Sequence, residues 1–401
     1  MELKLRIEKK TLLFVLMLFF VATPGYITHI SGKWMNYFLL FGEMLTYALI
    51  LWKWLRVKRM SPIHILSVLM YGTIILSTWL NGGNVYQAFR AEIGYIFMIM
   101  LVDNEGSETD CLWKACIYYL SVVIIINYLT ILLFPDGMYD VYASYDDQLI
   151  LGQKQWFFSS KNGMGKPILF LLFFKSDYDF KRYSKLQPSF YMIAAICLLS
   201  LVSVWSATSI VSCALMIAIV LLARVIYEKR PRVFNIYVFL AVIAILFVEF
   251  EIMQNVGYFS NLISVVLKKN LTFNGRTLIW ERSIRCILTR PLLGYGYLPK
   301  DDFRMLIGLR AASDAHNYLL TLGVYGGFTA MILFVIIVLL VAKSIKKKQF
   351  EYSGITMTAC LFSFFLTMLF ENTTSKLYWL ILVYAYYLGR DQSMNRTGRT
   401  R

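Results

Sequence analysis

The sequence predicts an all-α, polytopic membrane protein with about twelve transmembrane helices. Hydrophobic residues make up 58% of its 401 positions, whereas soluble proteins contain about 45–50%. Charged residues account for only 16%. Twelve spans of about twenty residues would use about 60% of the chain and leave little for a soluble domain. The composition therefore excludes a secreted, disulfide-stapled module and an ordinary cytosolic enzyme.

Twelve apolar segments of the chain are candidates to cross the membrane. Each must form a helix, because the lipid interior offers no hydrogen-bond partners to an open strand edge. The sixth segment is short and can begin within the preceding loop. We interpret residues 1–401 as a single integral-membrane domain. The predicted spans are residues 11–30, 34–52, 63–80, 85–102, 112–134, 164–174, 189–205, 207–223, 233–250, 316–342, 353–370 and 373–389.

Lysine and arginine are distributed unevenly between the two sides of this arrangement. The termini and alternate loops hold 25 of the 40 basic residues, whereas the short loops on the opposite side hold only Lys33 and Lys376. Cytoplasmic loops of membrane proteins collect basic residues in this way. We therefore predict that both termini are cytoplasmic. The same distribution accounts for the net charge of +16 without a nucleic-acid partner.

Two predicted extracytoplasmic segments, residues about 135–163 and about 251–315, are too long to be simple connectors. Long loops in compact proteins are usually functional or disordered. The second segment contains nine basic and five acidic residues, so its charge suits an anion outside the membrane. Between Arg276 and Pro291, apolar residues at helical spacing predict an amphipathic helix that includes Trp280.

His316 is the most informative single residue of the sequence. It follows Ser313 and Asp314, either of which can cap a helix, so its imidazole is predicted in the first turn of the tenth span, at the outer face. A helix N-terminus and neighbouring arginines disfavour the imidazolium ion. We expect a neutral imidazole, the form that a general base requires. A histidine that only caps the helix is the alternative.

Ionisable residues inside or near a membrane span are costly, and by default they indicate a functional site. Arg90 lies one to two turns from the outer end of the fourth predicted span, and Glu371 ends the eleventh near the outer face. Arg90 either snorkels outward to the membrane surface or lines a cavity that opens to the outside and meets phosphate there. We favour the cavity.

Three short motifs follow one another between residues 275 and 317. The first has the form G-R-x-x-x-W, the second P-L-x-G-x-G, and the third is H-N at the start of a span. Together with about twelve spans, a large late outer loop and the acidic Glu371, they resemble the O-antigen polymerase and O-antigen ligase superfamily. The motif residues are Gly275, Arg276, Trp280, Pro291, Leu292, Gly294, Gly296, His316 and Asn317.

One position departs from the pattern of this superfamily. Many members carry a Ser-Arg pair early in the eighth span, and that arginine is thought to bind lipid diphosphate. This chain has Ser206-Ala207 at the corresponding place. The departure suggests that Arg90, Arg276 or Arg310 supplies the charge here.

The resemblance implies a membrane-embedded, inverting glycosyltransferase whose active site faces the outside of the bacterial cytoplasmic membrane. It implies oligosaccharide repeat units on undecaprenyl diphosphate as substrates, with a chain-length regulator and a flippase as candidate partners. Diphosphate is the leaving group, so its developing charge must be stabilised. Arginine is expected to do this in place of Mg²⁺, and no metal or other cofactor is expected.

The resemblance also implies roles for individual residues. His316 is expected to act as the general base for the attacking sugar hydroxyl. Arg276 is expected to bind the donor diphosphate through its planar guanidinium group, which suits bidentate phosphate contacts. Arg90 and Arg310 are expected to add further anion contacts. Supporting roles are expected for Asp314, Glu371, Trp280, Tyr295 and Asn317.

The same motifs leave other functions open. An O-antigen ligase transfers finished glycan to a different acceptor, and the missing Ser-Arg pair favours a polymerase over a ligase. A polysaccharide flippase or transporter belongs to another class, and the lack of internal repeats and paired broken helices speaks against it. A non-catalytic assembly partner would need neither His316 nor Arg276. The product can be a capsule, an O-antigen or an exopolysaccharide.

Overall fold

The computed structural model describes residues 8–106, 109–145, 148–254, 275–310, 312–372 and 375–390. In these ranges the chain forms sixteen α-helices, a π-helical turn at Val248–Ile252 and one antiparallel hairpin of β1 (Tyr139–Tyr145) and β2 (Gln148–Gln155). The helices are α1 Lys9–Val21, α2 Gly25–Ile30, α3 Lys33–Val57, α4 Pro62–Leu80, α5 Val85–Glu105, α6 Asp110–Leu133, α7 Gly165–Tyr183, α8 Pro188–Ser203, α9 Ala207–Leu221, α10 Ala223–Lys229, α11 Ile236–Phe247, α12 Arg276–Thr289, α13 Lys300–Ile307, α14 Tyr318–Lys346, α15 Tyr352–Phe370 and α16 Lys376–Leu388.

Six of the described helices are long and apolar enough to cross a membrane, namely α3, α4, α5, α6, α14 and α15. Helices α9 and α10 meet at a bend of 50° and make a seventh candidate if they form one broken span. Helices α8 and α16 are apolar but shorter. The chain is therefore a mainly helical, multi-pass membrane protein, as predicted. The count of twelve spans and the cytoplasmic location of both termini stay predictions.

Helix α7 explains why the sixth predicted span looks short in the sequence. Its apolar stretch ends about halfway, but the helix continues to Tyr183. The second half carries charges that pair within the protein, with Lys175 and Asp179 at 2.5 Å and Lys181 and Asp177 at 2.9 Å. Residues four apart lie on one helix face. Helices α6, α9 and α15 pack around α7, and these ion pairs let its polar half enter the bundle.

A second, smaller hydrophobic core lies within the predicted late outer segment. Helix α12 begins at Arg276 and buries Ile279, Trp280 and Ile287 against α14 and the π-helical turn. Phe303 of the short α13 joins the same core. The helix predicted from apolar spacing is thus confirmed. Trp280, which is fully buried, packs in this core.

The loop after α12 packs against a kink in α14. Gly327 has a φ of +64°, so α14 is kinked there, and the amide of Phe328 donates to the carbonyl of Pro291 at 2.6 Å. Gly294 in the loop also has a φ of +64°. A Cβ at this position would lie 2.5 Å from the carbonyl oxygen of Val324. The P-L-x-G-x-G motif therefore permits a close backbone approach that other residues would block.

The first long predicted outer segment contains the β1–β2 hairpin, which the sequence analysis did not predict. A short strand pair has no apolar run of the kind that marks a membrane span. The hairpin region docks on α2, where the amide of Gly25 donates to the carbonyl of Phe158 at 2.9 Å. The ring of His29 stacks on that of Tyr139 with centroids 4.2 Å apart. The hairpin region and α2 therefore pack against each other.

Candidate functional site

Asn317 joins three helix ends at the start of α14. Its side-chain oxygen accepts a hydrogen bond from the amide of Leu320 at 3.0 Å, so Asn317 is the N-cap of α14. Its amide nitrogen donates to Glu251 and to the carbonyl of Leu369, both at 3.1 Å. Asn317 thus fixes the ends of α15 and of the π-helical turn beside α14. The supporting role predicted for Asn317 stays a prediction.

Glu251, at the start of the predicted outer loop, is fully buried. Burial raises the pKa of this carboxyl group to about 9, although the hydrogen bond from Asn317 acts in the opposite direction. The carboxyl is therefore protonated at neutral pH.

His316 lies outside α14, contrary to the prediction that placed it in the first turn. The cap is Asn317 rather than Ser313 or Asp314, so the helix begins two residues after His316. His316 has a φ of +49°, a conformation that is uncommon for residues other than glycine. Its amide donates to Asp314 at 2.6 Å, and its Nδ1 atom lies 3.6 Å from the same carboxylate. The loop therefore holds the imidazole beside Asp314, and about a quarter of the His316 side chain is exposed.

Arg276 and Glu371 form a salt bridge between the first residue of α12 and the residue that caps α15. The Nη2 atom of Arg276 lies 2.9 Å from Oε1 of Glu371, and Nη1 donates to the carbonyl of Phe370. Both side chains are mostly buried. The structure thus brings together two residues that the sequence analysis had placed in the site separately.

Lys166, in the first turn of α7, is a site residue that the sequence analysis missed. Its Nζ atom donates to the carbonyl of Asn372 at 2.8 Å, and the charges of Glu371 and Asp314 both act on it. Lys166 therefore lies within electrostatic reach of Glu371 and of Asp314, the residue beside His316. The sequence feature that could have identified Lys166 is its position in the first turn of a predicted span.

Helix α7 starts against α9 immediately before Lys166. A Cβ at Gly165 would lie 2.2 Å from the hydroxyl of Ser209, and that hydroxyl accepts a hydrogen bond from Ser206 at 2.9 Å. The segment with Ser206 and Ala207 is the one that lacks the expected arginine. A lysine on the adjoining helix thus lies next to the place where many superfamily members have that arginine.

Three further residues were predicted for the site, and the structure locates each of them: Tyr295, Arg310 and Arg90. Tyr295 is partly buried, and the guanidinium of Arg290 lies 4.6 Å from its ring centroid. Arg310 is exposed in the turn after α13. Arg90 lines a different cleft with Glu43, whose lining includes none of the residues of the cluster just described. The anion-binding roles of Arg90 and Arg310 stay predictions.

Comparison with known protein families supports the resemblance seen in the sequence. Residues 192–335 match the family model described as O-antigen ligase, a range that runs from α8 into α14 and contains Arg276, Trp280 and His316. A search of curated proteins returned no match. Lys166 and Glu371 lie outside the matched range and join the site through the fold. The match covers part of the chain, and together with the order of the motifs it supports a relationship to the O-antigen polymerase and O-antigen ligase superfamily.

Proposed function

We propose that this chain is an inverting glycosyltransferase that polymerises oligosaccharide repeat units carried on undecaprenyl diphosphate. The observation that carries the proposal is a chain of neighbouring charged groups: Arg276 pairs with Glu371, and His316 lies beside Asp314. Lys166 connects the two pairs, because the charges of Glu371 and Asp314 both act on it. The proposed location is the outer face of the bacterial cytoplasmic membrane.

Arg276 and Lys166 supply the charge that the leaving group needs. When the bond between the sugar and the diphosphate breaks, negative charge develops on the diphosphate oxygen, and fixed cations stabilise it. In the structure, Glu371 pairs with the Nη2 side of the Arg276 guanidinium group. A diphosphate competes with this carboxylate for the same side. Lys166 supplies the positive charge of the arginine that is absent beside Ser206.

His316 prepares the nucleophile of the same reaction. A hydroxyl of the terminal sugar on the acceptor attacks the anomeric carbon of the donor, and its proton passes to the imidazole. The new C–O bond forms as the bond to the diphosphate oxygen breaks, and the electron pair leaves with the lipid diphosphate. Because this is one direct displacement, the anomeric configuration inverts. Asp314 orients the imidazole from the Nδ1 side.

A second candidate is the transfer of finished glycan to a different acceptor, because the matching family model is described as O-antigen ligase. Both reactions use the same donor chemistry and the same cations. They differ in the acceptor, which is another lipid-linked repeat unit for a polymerase. The Ser206-Ala207 segment favours the polymerase.

The two candidates are separated by incubating the purified protein with lipid-linked repeat units as the only glycan. A polymerase produces a ladder of products that grow by one repeat unit. A ligase produces no ladder and forms product only when a different acceptor is added. Absence of any transfer in both reactions would overturn the proposal.

A further inference from the structure

A basic cleft, separate from the cluster of Arg276 and Glu371, lies between α1, α3, α5 and α16. Its volume is about 370 Å³, and its charged residues are Glu43, Arg90 and Lys376. Arg90 is in the second turn of α5 and Lys376 is the first residue of α16, so both lie near helix ends that the predicted topology places outside. The cleft is therefore close to the outer membrane surface.

Arg90 has an unusual position for a membrane arginine. Within the described residues it makes no hydrogen bond and no ion pair, and it is exposed to the cleft. The arginines of the neighbouring outer segment are engaged, as Arg276 is with Glu371 and Arg304 with Asp301. A guanidinium group on a membrane helix is costly unless it meets a counter-ion or water. Arg90 is thus available to an anion.

Lys376 adds a second cation to the cleft. Its ammonium group pairs with Glu43, which also accepts a hydrogen bond from the hydroxyl of Tyr47 at 2.6 Å. Arg90 and Lys376 against Glu43 leave one net positive charge. An incoming phosphate group can bind Arg90 directly and compete with Glu43 for Lys376.

The other walls of the cleft combine apolar and polar side chains. Phe20, Leu39 and Leu40 line it together with Thr23, Thr28 and Asn36, and the neighbouring Phe38 and Phe41 on α3 are exposed. A soluble anion makes no use of these exposed side chains of α3, whereas a lipid can place its phosphate on Arg90 and its chain along them. The combination of charge and apolar surface favours an amphiphilic ligand.

We propose that this cleft binds the diphosphate headgroup of the second, acceptor lipid, an inference that rests on the proposed polymerase function. A polymerase holds two lipid diphosphates at once. The donor diphosphate lies at the reaction centre, because the bond to it breaks there. The acceptor reacts through a hydroxyl at the far end of its repeat unit, so its diphosphate lies an oligosaccharide length away. The cleft of Arg90 supplies that second, separate site.

The binding test counts undecaprenyl diphosphate molecules on the purified protein in phosphatidylcholine nanodiscs by native mass spectrometry. The wild-type protein binds two, Arg90→Gln binds one, and Arg90→Gln combined with Arg276→Gln binds none. Loss of a charge-assisted contact weakens the affected site about tenfold or more. Arg285→Gln is the matched control, because Arg285 is exposed in the outer segment, and it keeps both sites. An unchanged count for Arg90→Gln would overturn the inference.

Two competitors identify what the cleft recognises. Neither inorganic pyrophosphate nor phosphatidylglycerol, each at the concentration of the lipid diphosphate, displaces the Arg90-dependent molecule. Displacement by pyrophosphate would mean a soluble-phosphate site, and displacement by phosphatidylglycerol would mean a general anionic-lipid site. Either result would overturn the assignment to the acceptor lipid.

Kinetics distinguish this inference from the proposed function. In the polymer assay, Arg90→Gln raises the KM for a diphosphate-linked acceptor about tenfold and leaves unchanged the KM for the same oligosaccharide on a neutral aglycone. Equal KM changes for both acceptors would overturn the acceptor-site inference alone. A wild-type protein that binds two lipid diphosphates but forms no polymer would overturn the proposed function.

Discussion

Arg276 contacts two partners with the two terminal nitrogens of one guanidinium group, and this geometry leads to the first prediction. Arg276→Lys keeps the charge but cannot hold the carbonyl of Phe370 and an anion at the position of Glu371 at the same time. We expect polymer formation to fall about 10- to 100-fold, the equivalent of one charge-assisted contact. The rate of ladder formation by the purified variant measures this.

Arg285→Lys is the control for this variant. Arg285 is also an arginine of α12, but it is exposed and pairs with Glu281 within its own helix. The control should polymerise at the wild-type rate. Wild-type activity in Arg276→Lys would remove Arg276 from the diphosphate site.

His316 permits a substitution that separates chemistry from backbone shape. Its φ of +49° lies in the left-handed region, which asparagine adopts more readily than most residues. His316→Asn therefore keeps the loop and removes the base. We expect a loss of about 10²–10⁴-fold in polymerisation rate with unchanged thermal stability of the purified protein. Normal polymer from this variant would show that His316 is not the base.

The sequence was sufficient for some residues of the site and insufficient for others. Arg276, His316 and Glu371 follow from the motifs of the superfamily, but their mutual contacts do not, because Arg276 and Glu371 are 95 positions apart. His316 was wrongly placed inside α14, since Asn317 is a cap as good as Asp314. Lys166 carries no motif, and only the packing of α7 against α9 and α15 brings it to Glu371.

At the scale of elements, the glycine loop and the kink of α14 lead to a stability prediction. Gly294→Ala places a methyl group 2.5 Å from the carbonyl oxygen of Val324 in a backbone with positive φ. We expect a loss of about 1–3 kcal/mol in unfolding free energy. The melting temperature of the purified protein measures it.

Gly72→Ala is the matched control, because a Cβ at this position in α4 meets no atom within 4 Å. Alanine is the better helix former, so this variant should melt at or slightly above the wild-type temperature. Equal melting temperatures for both variants would contradict the close approach at Gly294.

Helical elements differ in how far the sequence specifies them. α12 is amphipathic, so its apolar spacing and flanking Gly275 and Pro291 were enough to predict it. α7 was predicted too short, because its buried ion pairs resemble a surface segment in the sequence. The Arg90 cleft depends on α3, α5 and α16 meeting in space, which no local pattern encodes.

At the scale of the whole molecule, the predicted orientation puts the reaction outside the cytoplasm. A cysteine at Asp302, exposed on α13, should react with a membrane-impermeant maleimide in intact cells. A cysteine at Lys229, exposed at the end of α10, should react only after permeabilisation. The parent protein with its native cysteines gives the background. The reverse labelling pattern would contradict the predicted topology.

The most direct measurement of the central claim is polymer formation by the purified protein in proteoliposomes that contain lipid-linked repeat units and EDTA. We predict a ladder of products, with one undecaprenyl diphosphate released per new linkage. The ladder should be lost in His316→Asn and strongly reduced in Arg276→Lys. A requirement for divalent metal, or an undiminished ladder in both variants, would contradict catalysis by the cationic cluster and His316.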